Sequence, residues 1–153
     1  MAPAGDNSKK ALVSELNGLL ADHFALFAKT KNFHWHVTGP RFRSLHLMFD
    51  EQAVAINANI DMIGERVRKN GAPTLTSIGS IAGATAIKDQ DRTDLKAEDM
   101  VQELHDDNVK MLERIKRLKD LAGEAGDNAT DGILDDLTDQ TEERIWFLKS
   151  TLQ

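Results

Sequence analysis

The sequence predicts an all-α four-helix bundle, and three observations carry that prediction. Apolar residues recur at spacings of three and four in four long stretches, strand-type alternation appears nowhere, and one long aperiodic segment lies in the middle of the chain. The 153 residues fit one domain, expected over 9–153 behind a short amino-terminal tail, 1–8.

The first helix is expected to be capped by Asn7-Ser8 and to run through Leu12, Leu16, Leu19, Leu20, His23 and Phe27, stopping before Gly39-Pro40. The second, Phe42 to Asn70, has no proline and a single glycine, Gly64, and closes on Asn70-Gly71-Ala72-Pro73. Residues 72–96 are rich in Thr, Ser and Gly, with Leu75, Ile78 and Ile81 at threefold spacing, which predicts a crossover carrying one short helix. A third long helix starts at about Ala97 and follows Val101, Leu104, Met111, Ile115, Leu118 and Ala122 until Gly123 and Gly126. Asp127 or Asn128 caps the fourth, whose apolar side holds Leu134, Leu137, Ile145, Leu148 and Leu152.

Composition narrows the chemistry. There are no cysteines, so disulfides and thiolate chemistry are excluded and any metal must be held by His, Asp or Glu. No apolar run approaches the roughly 18 residues of a membrane span, and the opening residues lack the basic start and apolar stretch of a secretion signal. A soluble, cytoplasmic protein is the expectation. A net charge of -6 argues against a generally basic nucleic-acid surface.

The second helix carries His46, Asp50, Asp61 and Glu65 within a stripe roughly 100° wide. A solvated face is the ordinary reading of such a stripe. Along the helix, however, His46 and Glu65 are roughly 28 Å apart and Asp50 and Asp61 roughly 16 Å, too far for one metal site. Both pairs share a midpoint between Ala55 and Ile56. An antiparallel copy crossing there sets His46 against Glu65 and Asp50 against Asp61 of its partner, making two equivalent sites by twofold symmetry. Ala53, Ala55, Ile56 and Ala58 near the midpoint suit close helix approach.

His34-Trp35 followed by Gly39, Phe42, His46, Met48 and Asp50, then Asp61 and Glu65, resembles the signature of the Dps family, with agreement in spacing over a 32-residue stretch. The resemblance extends more loosely to the crossover, Asp127 to Asp136, and Trp146-Phe147. It implies a ferritin-like four-helix bundle and an intersubunit ferroxidase centre with His34, His46 and Asp50 from one subunit and Asp61 and Glu65 from its twofold mate. It further implies a homo-oligomeric, twelve-subunit cage that oxidises Fe(II), preferentially with hydrogen peroxide, and stores ferric mineral, protecting DNA. Carboxylate oxygen and imidazole nitrogen suit both iron states, and two irons at one centre match a two-electron oxidant. No Glu-x-x-His occurs in the chain, which disfavours a complete site inside each bundle.

His36, two positions from His34, points about 200° away on a helix and is not expected to share its metal. Trp35 is expected to pack in the core or lie near the site, and His23 and His105 to be structural. Glu51 is read as a surface carboxylate, with an entry role as the alternative. Asp127, Asp131, Asp135 and Asp136 have two readings: acids favoured at a helix start by its dipole, or, by resemblance, the lining of threefold pores that admit iron. Dps proteins are also associated with DNA binding through lysine-rich tails. Here the first ten residues hold only Lys9 and Lys10 and the chain ends without a basic extension, so weak, salt-sensitive binding summed over many copies is the expectation.

Overall fold

A computed structural model describes residues 4–153; Met1 to Pro3, the start of the expected tail, lie outside the described residues. The elements are α1 (Ala4–His36), α2 (Phe42–Ala58), α3 (Ile60–Lys69), α4 (Ile78–Ala84), α5 (Ala97–Ala125) and α6 (Asn128–Leu152), with no strand among the described residues. Four long rods, α1, the α2–α3 pair, α5 and α6, therefore form the bundle, and α4 is the short helix of the crossover.

Side-chain pairs give the directions. His34 lies by His46, Lys29 by Asp107 and Arg114 by both Glu15 and Asp22, so α2 and α5 both run antiparallel to α1. Arg41 reaches Thr151, Asn59 reaches Gln140 and Arg66 reaches Asp127, so α6 runs antiparallel to the α2–α3 rod. The second and third rods are thus parallel, and only a connection as long as the bundle can join them.

That connection is strapped to α1 by polar side chains in ascending order. Asn17 bonds to Pro73 and Leu75, the buried Asp22 accepts from Thr85 and Ala86, Lys29 donates to the Lys88 carbonyl, and Asn32 to that of Gln90. Asp22 also accepts from Arg114 at 2.8 Å. The Arg114 guanidinium lies against Gly18, where a Cβ would come within 1.9 Å of it, so no larger residue fits without moving the arginine.

The core follows the predicted stripes: Leu12, Leu16, Leu19 and Phe33 from α1, Leu45, Phe49 and Ile56 from α2, Leu104, Met111, Ile115 and Leu118 from α5, and Leu134, Leu137 and Leu148 from α6 are all buried. Gly126 closes α5 in the left-handed conformation, φ 68°, which favours glycine. Asp127 then caps α6, its carboxylate accepting from the Thr130 amide.

Two expectations need correction. The first helix already runs from Ala4, so Asn7-Ser8 lies inside it; no breaker stands between Ala4 and Leu12, and a cap residue does not stop a helix that can continue. The second rod is also interrupted at Asn59. There the side-chain amide donates both to the Ala55 carbonyl, four residues back, and to Gln140 on α6, the kind of inserted side-chain bond that disturbs a helical ladder.

Candidate functional site

His34 sits in the last turn of α1, and His46 and Asp50 sit one turn apart on α2, so the antiparallel packing of the two helices brings the three together. The imidazoles of His34 and His46 stack at 3.8 Å between centroids, with 13° between planes. His34 Nδ1 donates to the His46 carbonyl at 2.6 Å, and His46 Nδ1 donates to the His34 carbonyl at 2.7 Å. A carbonyl only accepts, so both protons are fixed on Nδ1 and both Nε2 lone pairs are left for a metal. His34 Nε2 lies 3.9 Å from Asp50 Oδ1, and Phe42 stacks on His46 at 5.0 Å.

Asp50 is held by a residue the sequence reading passed over. Lys31 Nζ donates to its Oδ1 at 2.7 Å, and this bond keeps the Asp50 carboxyl below the usual range. Lys31 is three residues before His34 and so shares its helical face, a spacing visible in the sequence. Its Nζ also lies 6.0 Å from the Trp35 ring.

Asp61 and Glu65 lie one turn apart on α3, both exposed, beside an open groove lined by Leu20, Phe24 and Leu75. The hydrogen bond from Glu65 to Asp61, with the Asp61 charge, pushes the Glu65 carboxyl up, against the pull of Lys69. The chain thus presents two partial constellations, one with nitrogen and oxygen donors and one with carboxylates alone. Asp50 and Asp61 are separated by roughly 16 Å of helix. Among the described residues, no three His, Asp or Glu side chains of one chain stand close enough together to hold a metal ion.

The remaining candidates are placed as follows. Trp35 is not in the core: it is 65% exposed, because the residue after His34 turns about 100° from the face that meets α2. His36 is exposed and bonds back to Asn32. His23 is buried among the rods, which drives its pKa down to about 4, with a bond to the Leu19 carbonyl opposing and Arg144 adding to the fall. His105 bonds to Asp106, and Glu51 is exposed.

Asp127 is occupied in the fold. It accepts from Thr130, Asn70 and Arg66, and these bonds outweigh partial burial to hold its pKa at about 2. Asp131 and Asp135 both pair with Lys119, and Asp136 accepts from Gln140.

Comparison with known proteins agrees with this architecture. The profile of the ferritin-like domain matches residues 13–153. A DNA protection during starvation protein of Brevibacillus brevis is 33% identical over 138 residues, 90% of this chain and 92% of its own. The crystal structure of a Dps protein from Bacillus brevis superposes with a TM-score of 0.92 at 29% identity, covering 100% of both chains. A Dps protein from Vibrio cholerae, described as a member of a broad superfamily of ferritin-like diiron-carboxylate proteins, superposes at 0.90 with 27% identity, covering 96% of this chain and 92% of that one.

Proposed function

The chain belongs to the Dps family of ferritin-like proteins, and from that premise we propose that it is a mini-ferritin that oxidises ferrous iron between paired subunits and stores the product. The observation that carries this reading is the reciprocal clamp between His34 and His46, which orients two imidazoles and leaves each Nε2 free beside the Asp50 carboxylate. A buried structural pair would have no need of that tautomer.

Iron is the substrate. His34, His46 and Asp50 supply the donors of one subunit, and Asp61 and Glu65 of an antiparallel neighbour complete the set, as twofold symmetry about Ala55 and Ile56 requires. Mixed nitrogen and oxygen donors accommodate both Fe(II) and Fe(III). Two Fe(II) each lose one electron to hydrogen peroxide, which takes up two protons and leaves as two waters, so no hydroxyl radical is released. Peroxide preference, a twelve-subunit cage with a ferric mineral, and iron entry past Asp131, Asp135 and Asp136 complete the reading, placed in a bacterial cytoplasm. No helix among the described residues is long and apolar enough to cross a membrane.

DNA condensation as the main role is the weaker reading, since Lys9 and Lys10 stand within α1. Retardation of DNA in a low-salt gel would favour it.

The deciding experiment is peroxide-dependent Fe(II) oxidation by the wild type and by a His46→Ala, Asp61→Ala variant. A loss of about tenfold or more is expected with assembly unchanged. Equal rates would return the protein to the class of inert helical scaffolds.

A further inference from the structure

The bundle interior holds a charged group without a counter-charge. Arg144 of α6 is 4% exposed; its Nε donates to Asn108 at 2.7 Å, and its Nη2 to Thr141 at 3.1 Å and, weakly, to Met111 sulfur. Among the described residues no protein atom hydrogen-bonds to its Nη1, and no carboxylate lies within ion-pair distance of the guanidinium. Burial lowers its pKa to about 10, which still leaves it fully protonated at neutral pH. His23, whose ionisation Arg144 helps suppress, is neutral there and offers no compensation.

Beside Arg144, Gln52 of α2 is 6% exposed, and neither its Nε2 nor its Oε1 has a protein partner. Both residues line a cleft of about 100 Å³ between α2 and α6, whose rim includes Met48, Phe147, Glu51 and Glu143. A buried cation and a buried amide, both unmatched and both facing one cleft, are costly to keep unless something there accepts hydrogen bonds and carries negative charge.

We infer that this cleft is a binding site for a small monovalent anion, held between Arg144 Nη1 and the Gln52 side-chain amide. Its volume admits a halide, nitrate or formate with a water or two. The exposed Glu51 and Glu143 carboxylates at the rim repel a dianion such as hydrogen phosphate, so the site selects by charge as well as by size. The site is independent of iron: Gln52 stands about 160° around α2 from Asp50.

The test is carried out on the intact protein with nitrate, bromide and phosphate at constant ionic strength, balanced with gluconate, which is too large to enter. Nitrate should raise the unfolding temperature of the wild type in a saturable way, by about 5 °C once it exceeds its Kd a hundredfold. Phosphate should not. Gln52→Leu, which leaves the bonds of Arg144 to Asn108 and Thr141 in place, should abolish the nitrate-specific increment, and this arm stands even where Arg144→Met fails to fold. In crystals grown with bromide, an anomalous peak within hydrogen-bond distance of Arg144 Nη1 is expected. Water alone at that position, a neighbouring subunit's carboxylate filling the cleft, or an equal nitrate response in Gln52→Leu would overturn the inference.

Discussion

His34 and His46, twelve residues apart and on different helices, fix each other's tautomer: each ring donates its Nδ1 proton to the other residue's carbonyl. Neither ring can turn without losing a hydrogen bond and a stacking partner. His46→Ala should therefore impair more than one ligand, since it also removes the ring on which His34 stacks. The expected result is a fall of about tenfold or more in Fe(II) oxidation by peroxide, and wild-type rates in this variant would show that the clamp serves the fold alone.

Subunit mixing tests whether the centre is shared between chains. In a twofold pair made from one His46→Ala and one Asp61→Ala subunit, one centre carries both lesions and the other carries neither. Two individually inactive variants, unfolded and reassembled together at equal amounts, should recover about a quarter of the wild-type centres, because about half the pairs are mixed and each contributes one intact centre of two. A site confined to a single chain predicts no recovery, and the comparison needs only initial rates of the mixture and of each variant alone.

Lys31 competes with iron for Asp50. Its Nζ donates to Asp50 Oδ1, the same oxygen that faces His34 Nε2, so metal binding has to displace or share that bond. Lys31→Gln should bind Fe(II), or Co(II) as a spectroscopic substitute, about two- to fivefold more tightly, in keeping with the small worth of an exposed ion pair. Weaker binding in titrations of Lys31→Gln would mean that the lysine positions the carboxylate instead of guarding it.

Much of this was legible in the residues before the structure. The rods follow from the apolar spacing, and the αL closure at Gly126 with Asp127 as the next cap follows from short-range chemistry that a sequence displays directly. The grouping of His46 with Asp50 is likewise local, one helical turn. Hidden were features created by packing between distant segments: the His34–His46 stack, the helix break at Asn59 through its bond to Gln140, and the unmatched Arg144. Even so, Gln52 and Arg144 interrupt otherwise apolar core registers, Leu45, Phe49, Ile56 and Leu137, Thr141, Leu148. A polar residue in a buried register is a signal that can be read from spacing alone.

Acid should destabilise the bundle through His23. Its pKa is about 4 in the fold against an ordinary 6.5, so the unfolded chain binds the extra proton first. Stability is therefore complete above about pH 6.5, falls as pH drops, and levels off below about 4, with a total loss of about 3 kcal/mol per subunit. Denaturant midpoints for the wild type should decline across that window, and His23→Leu, which cannot titrate, should flatten the decline whatever its stability at neutral pH. A slope unchanged by the substitution would assign the acid sensitivity to other groups.

The four aspartates near the start of α6 should divide into two kinds. Asp127 caps α6 through the Thr130 amide and grips Arg66 and Asn70 at the end of the second rod, so it ties two rods together at one end of the bundle. Asp127→Ala should cost about 1–3 kcal/mol of stability through the lost cap and hydrogen bonds. Because its folded pKa is about 2, below the ordinary 3.8, that stabilisation persists above about pH 4 and is lost only as pH falls through 2. A joint Asp127→Asn, Asp131→Asn variant is accordingly a poor probe of iron entry, since it weakens the fold at the same time. Asp131 and Asp135 instead share Lys119 at the surface, and that contact is cheap to lose. Asp131→Asn with Asp135→Asn should slow iron uptake while leaving the unfolding temperature within about 2 °C of wild type. Uptake at the wild-type rate in this variant would place the entry route elsewhere.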